Sequence, residues 1–418
     1  MLEKLKSYCK EKKIYCYGAG YYGRVVCTFL TENDLDVKAF LVTKKTATHD
    51  SFFHIPVYAL DEVSLHDDDC VLVAASTQYA SEMTEELNRR GMLSYRVISE
   101  ELLHSLENHI EFRNGLCNDN RINVLFYHRV NKLTLDVWNL AITPRRFEEH
   151  VLFLKNNYRI LPFDGEWHRT EKRSVVITFD DGYADFYEYA FPILEKHQVP
   201  ATVFISTGNI DTDREFWWDE LENIVYHGKV KHGKTIYRGI NLSAANDDEK
   251  KYLCHTIRLI LKGMCHTKRK DELEYLRELF QAKHIMPRKT HRTLNMKEIL
   301  TLSKSPYVTI GAHTVTHTSL STETPTEQER ELAVSKSKLE SIINRKVTSF
   351  AYPFGEDVDY TDVTKNIAMA IGYERIATTG GGLNTGDAGL FSIKRNGVPN
   401  CSISELKKLV GLSFLRYG

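Results

Sequence analysis

The chain has 418 residues, of which 42% are hydrophobic and 27% are charged, a composition typical of a globular protein with two or three domains. Its 55 basic and 56 acidic residues leave a formal net charge of −1. No overall electrostatic field therefore favours nucleic acid or an anionic membrane as a partner.

The N-terminal segment contains lysines but no apolar stretch ahead of a cleavage site, so it does not resemble a secretory signal. No apolar run approaches the roughly 18 residues that a spanning helix needs. The eight cysteines are scattered and form no CxxC pair, which favours reduced thiols. We therefore expect a cytoplasmic protein without a membrane-spanning segment.

Residues 13–100 alternate strand and helix patterns and predict a small parallel sheet. Polar residues dominate 101–120, so we predict a first domain at 1–115 and a second at 120–418. The first predicted strand runs into Gly18, Gly20 and Gly23, which spell GxGxxG ahead of a helix. This context suggests a Rossmann-like accessory domain.

The glycines alone do not identify a ligand for that domain. A dinucleotide site usually places an acidic residue at the end of the second strand, and "FLVTKKTA" has none there, which disfavours NAD. A nucleotide site and a structural or partner-binding role both remain open.

A second series of alternating strands and helices follows. Its strand-like segments are "INVLFYHRV", "YRILPF", "SVVITFD", "ATVFIST", "VTIGAHT", "SFAYPFG", "ERIATT" and "FSIKRNG". They predict an α/β fold of the (β/α)7 barrel type. Residues from about 211 to 300 interrupt this rhythm with charged helix formers, which predict a helical insertion.

Two adjacent carboxylates, Asp180 and Asp181, end the apolar strand "SVVITF". They could form a turn or cap the next helix. They could also bind a cation at the functional end of the barrel. His313 and His317 follow another strand, and two imidazoles with one carboxylate form a three-ligand catalytic metal set.

"TFDDG" followed by "HTVTH" resembles the polysaccharide deacetylase (NodB-homology) family over about 120–418. "LFYHRV" and "TPRRFEEHVLFLKNNY" are similar to its poly-N-acetylglucosamine-deacetylase-like subfamily, in which a histidine-bearing strand comes first. The resemblance implies Asp180 as general base and His128 as general acid. It also implies Asp181, His313 and His317 as ligands of a divalent metal, expected to be zinc.

The third family motif, Arg-x-x-Pro-Tyr, departs here to "FAYPF", with Phe350 in the place of the arginine. The resemblance implies that Phe354 supplies a backbone N–H to the oxyanion, and we assign Tyr352 to the same substrate region. Arg395, at another strand end, is the candidate that replaces the missing arginine beside the base. Trp218 could stack on a sugar ring, although packing within the insertion is the favoured role for the Trp217–Trp218 pair.

We therefore expect a metal-dependent deacetylase that removes acetyl groups from an N-acetylated sugar or glycan precursor, lipid- or nucleotide-linked. One alternative is an inactive deacetylase-like protein that binds glycan or a partner. A second alternative is a nucleotide-dependent oxidoreductase acting through the N-terminal domain. The sequence does not indicate an oligomeric state.

Overall fold

The computed structural model describes residues 1–44, 51–52, 55–92, 94–110, 121–167, 173–231, 236–386 and 389–416. Contacts divide the chain into two compact units. The first contains 1–121, 170–173 and 403–418, and the second contains 122–169 and 174–402. No helix in the described ranges combines the length and apolarity needed to cross a membrane.

The first unit is built on a six-stranded sheet with the order β3-β4-β2-β1-β5-β6, parallel except for β3 against β4. Its strands are β1 (Ile14–Tyr17), β2 (Val37–Val42), β3 (Ser51–Phe52), β4 (Ile55–Ala59), β5 (Cys70–Val73) and β6 (Tyr95–Val97). Its helices include α1 (Leu2–Cys9), α2 (Tyr21–Glu32), α3 (Thr77–Arg89) and α4 (Glu100–His109). The alternation predicted for 13–100 is therefore present.

Two of the three motif glycines are required by close packing. Gly18 has a φ of +117°, and a Cβ there would lie 2.4 Å from the carbonyl oxygen of Ala74. A Cβ on Gly23 would lie 1.7 Å from the carbonyl oxygen of Gly18, so α2 can approach β1 only with glycine at this position. A Cβ on Gly20 would meet nothing within 4 Å. A nucleotide site at this motif stays a prediction.

The polar segment 101–120 contains a helix in the part that the structure describes. Residues Glu100–His109 form helix α4, which begins where the Ser99 hydroxyl accepts a hydrogen bond from the Leu102 N–H. Leu102 and Leu106 are buried in the core of the first unit. The polar composition of this segment therefore obscured one apolar helix face. Residues 111–120 lie outside the described residues. The C-terminal helix, Ile403–Arg416, also belongs to the first unit rather than to the barrel.

The second unit contains an eight-stranded parallel sheet, in which seven strands follow the order β17-β16-β15-β12-β11-β7-β18 and β10 pairs with β11 off this path. A bridge between Ala377 and Ile393 joins β17 to the segment leading into β18, so the barrel is nearly closed, as the sequence predicted. The strands of this unit are β7 (Ile122–Tyr127), β8 (Arg129–Val130), β9 (Ala141–Ile142), β10 (Arg159–Leu161), β11 (Ser174–Phe179), β12 (Ala201–Ile205), β13 (Ile236–Tyr237), β14 (Ile240–Asn241), β15 (Val308–Ala312), β16 (Ser349–Ala351), β17 (Arg375–Ala377) and β18 (Arg395–Gly397).

Burial on both faces explains why the sequences of these strands are continuous apolar runs. All six residues of β11 are buried, because parallel barrel strands face a packed interior on one side and helices on the other. Val124, Val176, Phe204, Ala351 and Ala377 belong to one buried cluster. A filled barrel leaves only the strand ends for function.

The helices of this unit are α5 (Pro144–Asn157), α6 (Phe191–His197), α7 (Trp217–His227), α8 (Asp247–Lys262), α9 (His266–Leu279), α10 (Met296–Leu302), α11 (Pro325–Ile343) and α12 (Asp362–Ala370). Helices α7 to α9 lie between β12 and β15, where the sequence indicated an insertion, and share a separate apolar core that includes Trp217, Leu221, Leu253 and Leu276. Helix α10 contacts β15 and α11 and so belongs to the barrel itself.

Candidate metal centre and active site

A cavity of about 490 Å³ lies at the carboxyl ends of the barrel strands. Seven residues singled out in the sequence line it: His128, Asp180, Asp181, Trp218, His313, His317 and Phe354. They follow strands β7, β11, β15 and β16 or belong to the insertion. Parallel strands bring these segments together, although they are far apart along the chain.

The backbone conformation changes between Asp180 and Asp181 at the end of β11, so their carboxylates point in different directions. Asp180 still donates its N–H to the Tyr127 carbonyl at 3.0 Å, so it continues the sheet. Asp181 and Gly182 then adopt left-handed conformations with φ of 74° and 83°. A Cβ on Gly182 would lie 2.9 Å from Ile205 Cγ2, which explains the glycine of "DDG". A left-handed aspartate costs about 1 kcal/mol or more, strain of a kind concentrated at functional sites.

Asp181, His313 and His317 converge on one point. The Oδ1 atom of Asp181 lies 3.1 Å from Nε2 of His317 and 3.5 Å from Nε2 of His313. The candidate ligand atoms of the three residues all lie within 4.8 Å of one another, and all three residues are buried. This is the donor set and the spacing of a mononuclear metal site.

A hydrogen bond indicates which ring nitrogen of His313 carries a proton. His313 Nδ1 lies 2.7 Å from the Ala351 carbonyl oxygen, which can only accept, so Nδ1 carries the proton and Nε2 of the neutral ring has a free lone pair. That lone pair faces Asp181 Oδ1, which is buried and has no hydrogen-bond partner among the described residues. Two facing acceptors repel unless a cation lies between them, so the residues fit a divalent metal.

The electrostatics of His317 agree with this assignment. Burial lowers the pKa of His317 to about 4 despite its contact with Asp181, so the imidazole is neutral and able to bind metal near pH 7. The site thus offers two imidazole nitrogens and one carboxylate.

Asp180 is held by Arg395 from β18. The guanidinium donates from Nη1 to Oδ1 at 2.7 Å and from Nη2 to Oδ2 at 2.8 Å. Arg395 is fully buried, and its Nε donates to the Thr378 carbonyl at 3.0 Å. Burial raises the pKa of Asp180, but the charge of Arg395 outweighs this and leaves the pKa below its usual value. Asp180 is therefore an oriented, ionised carboxylate on the cavity wall.

Two aromatic residues of the third motif lie in the core rather than in the cavity. Phe350, in the place of the family arginine, is fully buried and packs against Tyr352 and Tyr373. Tyr352 is 1% exposed and stacks on Tyr360 with ring centroids 4.2 Å apart. Because its ring turns into the core, Tyr352 does not line the cavity, contrary to its assignment to the substrate region.

Phe354 does reach the cavity. Its φ is +62°, its ring lies 4.9 Å from the ring of His317, and its carbonyl accepts a hydrogen bond from Thr379. Its backbone N–H has no hydrogen-bond partner within the described ranges. This N–H is thus available as a donor, as the sequence hypothesis requires.

Trp217 and Trp218 are both buried, at 8% and 4% exposure. Trp218 donates its indole N–H to the Tyr183 hydroxyl at 2.9 Å, and its ring lies 4.4 Å from that of His317. Packing against a metal ligand is therefore the dominant role of Trp218, with part of the ring exposed to the cavity.

His128 follows β7 and is half-buried on the cavity wall. Its ring lies 5.6 Å from that of Phe126, and it forms no hydrogen bond with a described residue. The imidazole therefore faces the cavity.

Sequence reasoning missed one wall of the cavity. His255, Arg258 and Lys262 of α8 line it together with Trp138 and Glu356. The spacing of the three α8 residues indicates one helix face. Nothing in the sequence shows that this face meets the metal centre.

Comparison with known proteins gives a coherent result. The sequence profile of the family described as polysaccharide deacetylase matches residues 168–376, half of the chain. A protein of Bacillus subtilis (strain 168), YxkH, whose name places it among the polysaccharide deacetylases, is 21% identical over 282 residues, covering 66% of this chain and 70% of that protein.

The poly-beta-1,6-N-acetyl-D-glucosamine N-deacetylase of Staphylococcus aureus (strain MSSA476) is 31% identical over 110 residues, covering 22% of this chain and 38% of that protein. Among solved structures, the Streptococcus pyogenes deacetylase PplD in complex with acetate has a TM-score of 0.46 and 20% identity, covering 69% of this chain and 98% of that one. IcaB from Ammonifex degensii has a TM-score of 0.45 and 18% identity, covering 71% and 98%.

Proposed function

The chain belongs to the polysaccharide deacetylase family of metal-dependent carbohydrate N-deacetylases, and we propose that Asp181, His313 and His317 hold the metal with which it removes acetyl groups from an N-acetylated sugar. The observation that carries this assignment is one cavity that contains both the three-ligand cluster and the Asp180–Arg395 pair. The donor set of two imidazoles and one carboxylate favours zinc.

A divalent cation at this site supplies Lewis acidity toward the acetamide carbonyl and increases the acidity of water. Asp180 accepts the proton of the attacking water as the C–O bond forms. The N–H of Phe354 donates to the developing oxyanion. His128 gives a proton to the nitrogen as the C–N bond breaks, so acetate and a free amine leave.

The inactive alternative depended on the missing arginine at Phe350. The bidentate contact of Arg395 with Asp180 supports retained activity, because the base has an arginine partner from another strand. The test of the proposed function is acetate release from N-acetylated oligosaccharides by zinc-loaded protein, with a chelator as control. Stoichiometric zinc without acetate from any N-acetylated glycan would favour the binding protein.

The Arg395→Ala variant should lower kcat by about 100-fold while zinc content stays unchanged, since Arg395 positions the base and does not touch the metal ligands. Because Arg395 lowers the pKa of Asp180, its loss should also move the acid limb of the pH–kcat profile to higher pH. Arg395→Lys should restore part of kcat. Turnover and pH profile equal to wild type would exclude this role.

Replacement of His128 by glutamine should lower acetate release from a sugar acetamide by about 100-fold or more, because an amine leaves only when protonated. The same variant should hydrolyse 4-nitrophenyl acetate at close to the wild-type rate, since nitrophenolate needs no proton. Rates that fall equally on both substrates would argue against His128 as the acid.

We propose that the enzyme works in the cytoplasm on a lipid- or nucleotide-linked precursor. No disulfide joins the seven cysteines that the structure describes, and six of them are buried, which supports a reducing compartment. Fractionation of cells followed by immunoblotting tests this location.

For the N-terminal unit we propose a Rossmann-like accessory role, structural, partner-binding or nucleotide-binding. A melting temperature that does not respond to NAD or NADP would remove the oxidoreductase alternative.

A further inference from the structure

Helix α8 of the insertion forms one wall of the catalytic cavity. His255, Arg258, Leu259 and Lys262 all line it. These positions follow the i, i+3, i+4, i+7 spacing of a single helix face, so α8 presents its charged side to the space where substrate would lie. An insertion placed in this way can determine which sugar fits.

The charges on this wall are not equally compensated. Lys262 Nζ pairs with Asp359 Oδ1 at 2.9 Å and with Glu356 at 3.4 Å. Across the cavity, Asp180 is paired with Arg395. Arg258, in contrast, makes no hydrogen bond or ion pair with any residue that the structure describes. Arg258 is therefore a cationic side chain of the cavity wall without a direct ion-pair partner in the described part of the chain.

Two aromatic rings flank the guanidinium group of Arg258. Its guanidinium carbon lies 5.6 Å from the ring centroid of Trp138 and 5.6 Å from that of Phe354. Burial lowers the pKa of Arg258, although the charges of Asp181, Asp359 and Glu356 oppose this effect. Partial desolvation between two rings makes an ionic partner more valuable than it would be in water.

We propose that Arg258 binds an anionic group, a phosphate or a carboxylate, carried by the N-acetylated sugar or by the unit next to it. The inference rests on the proposed function, because it takes the cavity to be the deacetylase site. A guanidinium offers a planar pair of N–H donors that matches both oxyanions. A neutral hydroxyl would leave the charge without a counterion.

Binding of matched probes to the zinc-loaded His128→Gln protein tests this inference while turnover is slow and the Asp180–Arg395 pair stays intact. The probes are N-acetylglucosamine 1-phosphate, N-acetylmuramic acid and the neutral methyl N-acetylglucosaminide, with Kd values measured by ligand-observed NMR. At least one anionic probe should bind about tenfold more tightly than the neutral one. The preferred probe identifies the source of the anion.

Adding Arg258→Gln should reduce that preference to within about twofold and leave neutral-probe affinity unchanged, while Arg258→Lys should keep part of it. Lys251→Gln removes a charge from the same helix outside the cavity lining and should preserve the preference. Equal affinities in the parent protein, no binding of either anionic probe, or a preference that survives Arg258→Gln would each overturn the inference. In that case Arg258 would serve only to pack against the two rings.

Acetate release by the wild-type enzyme separates this inference from the proposed function. Equal kcat/KM values on neutral and anionic N-acetylated substrates would overturn the inference and leave the deacetylase assignment intact. Anion-selective binding through Arg258 without acetate from any substrate would do the reverse.

Discussion

Replacement of Asp181 by alanine should abolish metal binding and acetate release together. Asp181 supplies the only carboxylate of the three-ligand cluster within the described ranges, and its Oδ1 faces both imidazoles at 3.1 and 3.5 Å. Two neutral nitrogens alone leave the cation's charge uncompensated in a buried site. Elemental analysis of protein dialysed against trace zinc should give close to one zinc per wild-type chain and less than about 0.1 per variant chain.

A matched control removes another buried polar side chain away from the cavity. His150 is buried and lies 2.8 Å from the Cys401 carbonyl, so His150→Ala should lose stability but keep zinc. Bound metal at about 1,000 times its Kd stabilises a fold by about 4 kcal/mol, so a chelator should lower the Tm of wild type and leave that of Asp181→Ala unchanged. A variant that retains stoichiometric zinc would show that the ligands are other residues.

Replacement of Asp180 by asparagine should lower kcat by about 1,000-fold or more while zinc remains bound, because an amide cannot accept a proton from water. Asparagine keeps the size of the side chain and one acceptor for Arg395. KM should change little, since the lost interaction acts on the attacking water rather than on the sugar. Steady-state acetate release and zinc analysis on the same preparation provide the measurement.

The Asp180→Asn change also weakens a buried ion pair, so a stability control is needed. Asp185 forms a comparable pair with Arg129 at 2.8 Å, and both side chains are 2% exposed. Asp185→Asn should lower Tm to a similar extent but reduce kcat much less, because Asp185 does not line the cavity. If both variants lose activity equally, destabilisation rather than loss of a base explains the effect, and Asp180 is not the base.

The metal cluster could be predicted because its ligands belong to short sequence motifs. Asp180 and Asp181 end a buried strand, and His313 and His317 follow another, so each half of the site lies within a few residues of a recognisable apolar run. Strand ends meet at one end of a parallel barrel whatever lies between them. The insertion between the two halves therefore did not hide their association.

Sequence reasoning was less successful for residues whose role depends on which face of a strand or helix is buried. Tyr352 follows a motif strand, but its ring turns into the core and stacks on Tyr360. Polar residues dominate 101–120 in the sequence, yet Leu102, Leu103 and Leu106 of helix α4 are buried. Composition does not reveal an apolar stripe that only a packing partner makes significant.

The sequence by itself determined the barrel class, the two carboxylates, the two histidines and hence the metal-dependent chemistry. The sequence suggested Arg395 as the partner of the base, but only the tertiary structure showed its contact with Asp180 across 215 residues of chain. Only the tertiary structure placed Arg258 on the cavity wall, without a direct ion pair to any residue in the described ranges. The physical reason is range: a ligand motif and a strand pattern are local properties of the chain. Charge pairing and desolvation depend on which distant side chains the fold places at contact distance.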